Sequence, residues 1–97
     1  MVQEGHLLAV FNSAHRVMKA ESLLKARGLP ILLIPAPRQL QTDCGLAIRF
    51  SEEDRPGIIS ALEQAELLPE FISRYQAEVF VPIWKLSEQT TAETPKG

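Results

Sequence analysis

Two short apolar runs, His6–Phe11 and Leu29–Ile34, constrain this chain more than any other feature of its sequence. Each is too short to make a buried helix, and each is closed by residues that punctuate the backbone: Asn12-Ser13 after the first, Pro35 and Pro37 after the second. Between them Ala14, Val17, Ala20 and Leu24 recur at helical spacing, flanked by Met18 and Leu23, and Gly28 is placed to end the helix. The chain therefore opens as strand, helix, strand. A right-handed crossover of this kind puts both strands in one sheet with the helix against one face.

Arg38–Gly45 has neither helical nor alternating pattern and reads as a loop, whereas Leu46, Ile48 and Phe50 alternate with Ala47 and Arg49 as a third strand. Pro56 suits the first turn of a second helix beginning near Asp54, with Ile58, Leu62 and Ala65 as its buried stripe, Ile59 beside them and Pro69 as its far bound. Tyr75, Ala77, Val79 and Val81 alternate with Gln76, Glu78 and Phe80, which predicts a fourth strand that Pro82 weakens. Leu67–Ser73 reads either as an extension of the second helix or as a packed connection, and Pro69 opposes an uninterrupted helix.

The order βαββαβ predicts an α+β fold of ferredoxin-like topology: a four-stranded sheet in the order 4-1-3-2 with two helices on one face. At 97 residues the chain is read as a single domain, residues 1–86. Residues 87–97 are polar and expected to be a disordered tail. Both faces of the first two strands are apolar, with Leu8, Val10, Leu32 and Ile34 on one side and Leu7, Ala9, Ile31 and Leu33 on the other. Two helices cover one face, so the other is expected to be buried by a second copy, as a homodimer, or by the segment around Phe80, Ile83 and Trp84.

In this topology the third strand begins beside the ends of the first two, which brings Asn12, Ser13, Arg38 and Cys44 toward one edge. Cys44 stands between Asp43 and Gly45 in an irregular loop. Gly45 permits close approach of a partner's backbone, helix-one N–H groups and Arg38 favour a thiolate, and Asp43 opposes it. A blander reading stands beside this one, in which Cys44 is a small buried hydrophobe, His15 a surface residue of the first helical turn and Arg38 a solvated loop charge.

Charge and composition narrow the classes of function. Ten Lys and Arg against twelve Asp and Glu give a net charge of -2 and a pI near 5.6, which favours no nucleic-acid partner. No apolar run approaches the roughly 20 residues that span a bilayer, so no membrane partner is expected. One cysteine cannot form an internal disulfide, and Met1-Val2-Gln3-Glu4 lacks the pattern of a secretory signal, so the expected location is cytoplasmic. Cys44, His6 and His15 lack metal-ligand spacing, and Asn12-Ser13-Ala14-His15 lacks the glycines of a phosphate loop, so neither metal nor nucleotide cofactor is indicated.

Several segments go beyond these patterns: Val10-Phe11-Asn12-Ser13-Ala14-His15, Ala20-Glu21-Ser22-Leu23-Leu24-Lys25, Gly28-Leu29-Pro30, Pro35-Ala36-Pro37-Arg38, and Asp43-Cys44-Gly45-Leu46-Ala47-Ile48-Arg49-Phe50. Over residues 6 to 80 the chain resembles the selenium/sulfur carrier-like family of small bacterial domains, most specifically in the Pro-x-Pro-Arg loop followed by Cys-Gly. The resemblance implies that Cys44 carries sulfur or selenium as a persulfide or perselenide, that Ser13, His15 and Arg38 frame its pocket, and that donor and acceptor proteins are the partners. Val79-Phe80-Val81-Pro82-Ile83-Trp84 and the polar tail extend beyond the family's pattern.

A carrier needs one accessible sulfur nucleophile and no turnover machinery, since transfer proceeds by thiolate attack at sulfur. A cysteine hydrolase is less well served, because no orienting acid or oxyanion hole accompanies Cys44 and His15. The alternative of a different class is a ligand-binding or regulatory oligomerisation module, which requires no reactive thiol. RNA recognition is disfavoured because Leu46 and Ile48 stand where stacking aromatics are needed.

Overall fold

The computed structural model describes residues 2–40 and 42–92 as an α+β arrangement of five strands and three helices. The strands are β1 (Leu7–Val10), β2 (Leu32–Pro35), β3 (Leu46–Phe50), β4 (Phe71–Gln76) and β5 (Val79–Lys85). The helices are α1 (Ala14–Ala26), α2 (Arg55–Gln64) and α3 (Leu86–Ala92). All strand pairs are antiparallel and the sheet order is β2-β3-β1-β4-β5. The first four strands thus take the order expected from the sequence, and β5 is added outside β4. The expectation of four strands is corrected to five.

The elements begin and end for local reasons. Ser13 caps α1 by accepting the Arg16 backbone N–H at 3.2 Å. Gly28, at φ +75°, ends it, with Gly28 N–H donating to the Lys25 carbonyl and Leu29 N–H to the Leu24 carbonyl. This is a Schellman stop, for which glycine is favoured. α2 follows Asp54 with Pro56 in its first turn and ends in the same motif, Glu66 N–H donating to Glu63 and Leu67 N–H to Leu62. Here the left-handed position is filled by Glu66 at φ 59°, so the usual glycine signal is missing. After it Leu67 and Pro69 are buried, making the connection packed rather than helical, and Phe71–Ser73 already belong to β4.

The expected fourth strand over Tyr75–Val81 is in fact the corner of a hairpin. Tyr75 pairs with Phe80 and Gln76 with Val79, and the chain turns at Ala77 and Glu78, with φ of 53° and 67°. Two consecutive positive φ values suit the twist of a two-residue hairpin, but the residues that favour them are Asn and Gly. Alternation in sequence continues through such a turn unmarked. Tyr75 and Phe80 pack with ring centroids 5.0 Å apart, and the Glu4 carboxylate accepts the Ala77 N–H. β5 is an edge strand, where Pro82 removes no ladder bond that the sheet requires, and a register shift occurs opposite Ile72/Ser73.

The main core joins Leu7, Ala9, Ile48, Phe50 and Ile72 of the sheet to Val17, Ala20 and Leu24 of α1 and Ile58, Ala61 and Leu62 of α2. The opposite face holds a smaller cluster of Leu8, Val10, Ile34, Ala47 and Leu40, with Val2, Ala36 and Phe80 packed against it. Leu8 and Val10, whose apolar character suggested a second copy, are buried within one chain. Phe80 contributes there, whereas Ile83 and Trp84 pack toward the helical side. Of the expected polar tail, residues up to 92 form α3 and residues 93–97 lie outside the described ones.

Two outcomes test this arrangement. Replacing Ala77 by Asn together with Glu78 by Gly should stabilise the hairpin by about 1 kcal/mol, since left-handed backbone costs an ordinary residue about 1–2 kcal/mol. In thermal unfolding this is a rise of about 4–8 °C. Ending the chain after Leu86 should move the midpoint by less than about 4 °C, whereas ending it after Gln76 should lower it far more, because Phe80, Ile83 and Trp84 are then lost.

Candidate functional site

Four chain segments meet at one end of the sheet. β1 runs out at Val10 and passes through Phe11 and Asn12 to the Ser13 cap of α1. The Glu70 N–H donates to the Val10 carbonyl at 2.7 Å, fixing the start of β4 beside it. The loop between β2 and β3 closes when Ala36 N–H donates to the Gly45 carbonyl at 2.9 Å. Within that loop Arg38–Leu40 forms a 3₁₀ turn whose Leu40 is buried against the sheet, which anchors the loop's outward half.

Cys44 lies in this junction, half-buried and packed against the main core. Its Sγ is 3.2 Å from the Leu46 carbonyl and 3.6 Å from the Phe11 carbonyl, both acceptors for the thiol proton. Thr42 Oγ1 lies 3.3 Å from Sγ and accepts the Cys44 backbone N–H at 3.2 Å. The Thr42 hydroxyl keeps its proton and a second lone pair, so it can donate to Sγ or accept from it. The thiol is thus held by the carbonyl of the residue just past β1, by that of the first residue of β3 and by a hydroxyl of its own loop.

The sequence-derived site residues are placed as follows. Gly45 follows Cys44 at φ +73°, and a β-carbon there would meet no atom within 4 Å. Its backbone angle, not crowding, is what asks for glycine. Ser13 is half-buried with its hydroxyl engaged in the α1 cap. His15, in the first turn of α1, and Arg38, at the start of the 3₁₀ turn, are exposed. Among the described residues no hydrogen bond joins Cys44 to Ser13, His15 or Arg38.

Sequence reasoning missed Thr42. The signal was present, since a threonine two residues before an ordered N–H is a familiar side-chain turn. It also missed the cleft of about 290 Å³ beside the loop, lined by Asn12, Thr42, Asp43, Glu70 and Phe71 among others. Glu70 is brought there by the β4 pairing, sixty residues from Val10 in sequence, and no local pattern announces it. Asp43 and Glu70 make this side of the junction acidic.

Among the described residues no cluster of three or more His, Cys, Asp or Glu side chains is placed to hold a metal ion, and no helix is long and apolar enough to cross a membrane. No curated protein and no solved structure gives a match to the chain. The family described as putative Se/S carrier protein-like matches over residues 6–74, from the entry into β1 to the fourth residue of β4. That span takes in the whole junction with Cys44 and leaves β5 and α3 outside it. By this match the chain belongs to the Se/S carrier protein-like family.

Proposed function

We propose that the protein carries sulfur or selenium covalently on Cys44, as a persulfide or perselenide. The observation that carries this reading is that the chain's one cysteine falls inside the family match, in a loop where Sγ reaches both core and surface. A covalently carried chalcogen atom needs a soft nucleophile, and no other thiol exists in the sequence. The framework is a ferredoxin-like sheet with an added edge strand, and the site occupies the end where β1 and β2 run out and β3 begins.

Loading begins when the Cys44 proton is lost. The Leu46 and Phe11 carbonyls accept hydrogen bonds from the thiol and offer none. The Thr42 hydroxyl, 3.3 Å from Sγ, and water at the loop surface can donate to the ionised sulfur. The thiolate attacks the outer sulfur of a donor persulfide, forming a new S–S bond as the donor's own S–S bond breaks and its thiolate leaves. Delivery repeats the step with the acceptor's nucleophile, and the Cys44 thiolate is regenerated. No net oxidation occurs. Arg38, exposed on the same loop, attracts an anionic donor group, His15 is exposed in the first turn of α1, and Gly45 supplies the left-handed turn that follows Cys44 while Ser13 caps α1.

Incubation with a protein persulfide or perselenide donor followed by intact mass measurement tests the reading. The native chain should gain one sulfur or one selenium, and Cys44→Ser should gain none while melting within about 4 °C of the native protein. Arg38→Ala should slow loading without unfolding the domain. If Cys44 resists alkylation until global unfolding, or if the serine variant loads as the native chain does, the carrier mechanism fails.

A further inference from the structure

Thr42 sits between two anchors of the loop that carries Cys44. On one side of it Leu40 is buried against the rear of the sheet, and on the other the Ala36 N–H closes the loop on the Gly45 carbonyl at 2.9 Å. Thr42 itself is half-buried, and its Oγ1 accepts the Cys44 N–H at 3.2 Å. That bond fixes the rotamer of a β-branched side chain that has few rotamers to begin with. The oxygen so fixed stands 3.3 Å from Cys44 Sγ.

Among the described residues three groups bond with Sγ, and only one of them has a proton to give. The Leu46 and Phe11 carbonyls, at 3.2 and 3.6 Å, are acceptors, so both bonds end when the thiol ionises. The bond from the Thr42 hydroxyl survives ionisation and strengthens, since a hydrogen bond to an ion is roughly twice as strong as one between neutral groups. The charged and titratable groups of the segments that meet here are Asp43 and Arg38 of the same loop, His15 of α1 and Glu70 at the entry to β4, all exposed. Their charges have opposite signs, and salt screens them at exposed positions. A fixed hydroxyl in contact with the sulfur is neither cancelled nor screened in this way.

We propose that Thr42 controls the ionisation of Cys44: its hydroxyl, locked by the Cys44 N–H, donates to the ionised sulfur and raises the share of the protein that is ready to attack a donor. The inference rests on the reading of Cys44 as the carrier, because loading is the step that Thr42 serves. The Cys44 proton leaves to water and Thr42 keeps its own, so no bond other than the S–H is broken in this step. Stabilising a thiolate also reduces its nucleophilicity, with a Brønsted coefficient of about 0.4–0.5, so the gain in thiolate is only partly offset.

Alkylation of the full chain by iodoacetamide across a range of pH tests this, because the reagent is neutral and needs no donor protein. Thr42→Val, similar in shape but without the hydroxyl, should move the midpoint of the rate profile up by about one pH unit, slow alkylation below the midpoint by about threefold and speed it on the high-pH plateau by about threefold. A loop that had merely lost its shape would not raise the plateau while moving the midpoint. Thr42→Ser keeps the hydroxyl and should follow the native profile, and the difference between native and Thr42→Val should persist at about 1 M salt, where exposed charges are screened. An unmoved midpoint, a plateau that falls, an equal shift in Thr42→Ser, or a difference that vanishes in salt would each overturn the proposal. Thr42→Ala should give the same shift as Thr42→Val and decides the matter if the latter does not fold. If the midpoint moves as expected and the native chain gains no sulfur or selenium from a donor, the carrier reading fails and Thr42's part in loading with it; if the chain loads and the midpoint is unmoved, the role of Thr42 alone fails.

Discussion

The structure depends on β1 being buried on both faces and bonded along both edges. Leu7 and Leu8 are fully buried and Ala9 and Val10 nearly so, and the strand pairs with β3 on one side and β4 on the other. A four-residue strand can occupy this position only if every side chain is apolar, since a polar group there would lose water without gaining a partner. Leu7 and Ala9 seat the two helices, while Leu8 and Val10 hold the smaller cluster behind the sheet. The neighbouring registers follow, because a shift of one residue would exchange the two sets.

The chemistry is set at the places where β1 stops being a strand. At Val10 and Phe11 the backbone has carbonyls to spare: Val10 binds Glu70 of the β4 entry, and Phe11 accepts from the Cys44 thiol. At the opposite end His6 bonds back to Gln3 and faces Arg49. One end therefore has a sulfur, a hydroxyl and two carboxylates, and the other a guanidinium, a neutral imidazole and a hydroxyl.

The strand beyond the family match has a packing role. Phe80 joins the cluster behind the sheet, Ile83 and Trp84 reach toward the helical side, and the bulge opposite Ile72/Ser73 lets these two adjacent residues share that side. With Leu40 of the β2–β3 loop covering the same rear cluster, the sheet's central apolar residues need no second chain to shield them. Leu40 thereby ties the loop that bears Cys44 to the rear of the sheet, so the site's position and the burial of Val10 and Ala47 are linked.

What the sequence determined by itself is what local chemistry writes into it. The apolar runs of β1 and β2, the period of α1, its Ser13 cap and Gly28 stop, and Pro56 at the head of α2 all act within a few residues of where they stand. With the handedness of crossovers they also imply the order of the first four strands. The hairpin at Ala77-Glu78 and the stop at Glu66 stayed hidden because ordinary residues occupy left-handed positions there, held by Glu4, by Leu67 packing and by strand pairing. Cys44 and Gly45 stood out as candidates because a lone thiol in a loop is distinctive, whereas the groups that contact the sulfur did not. Only the tertiary structure brought the Phe11 carbonyl to its sulfur and Glu70 to its cleft, because hydrogen bonds between strands join residues whose separation along the chain leaves no periodic trace.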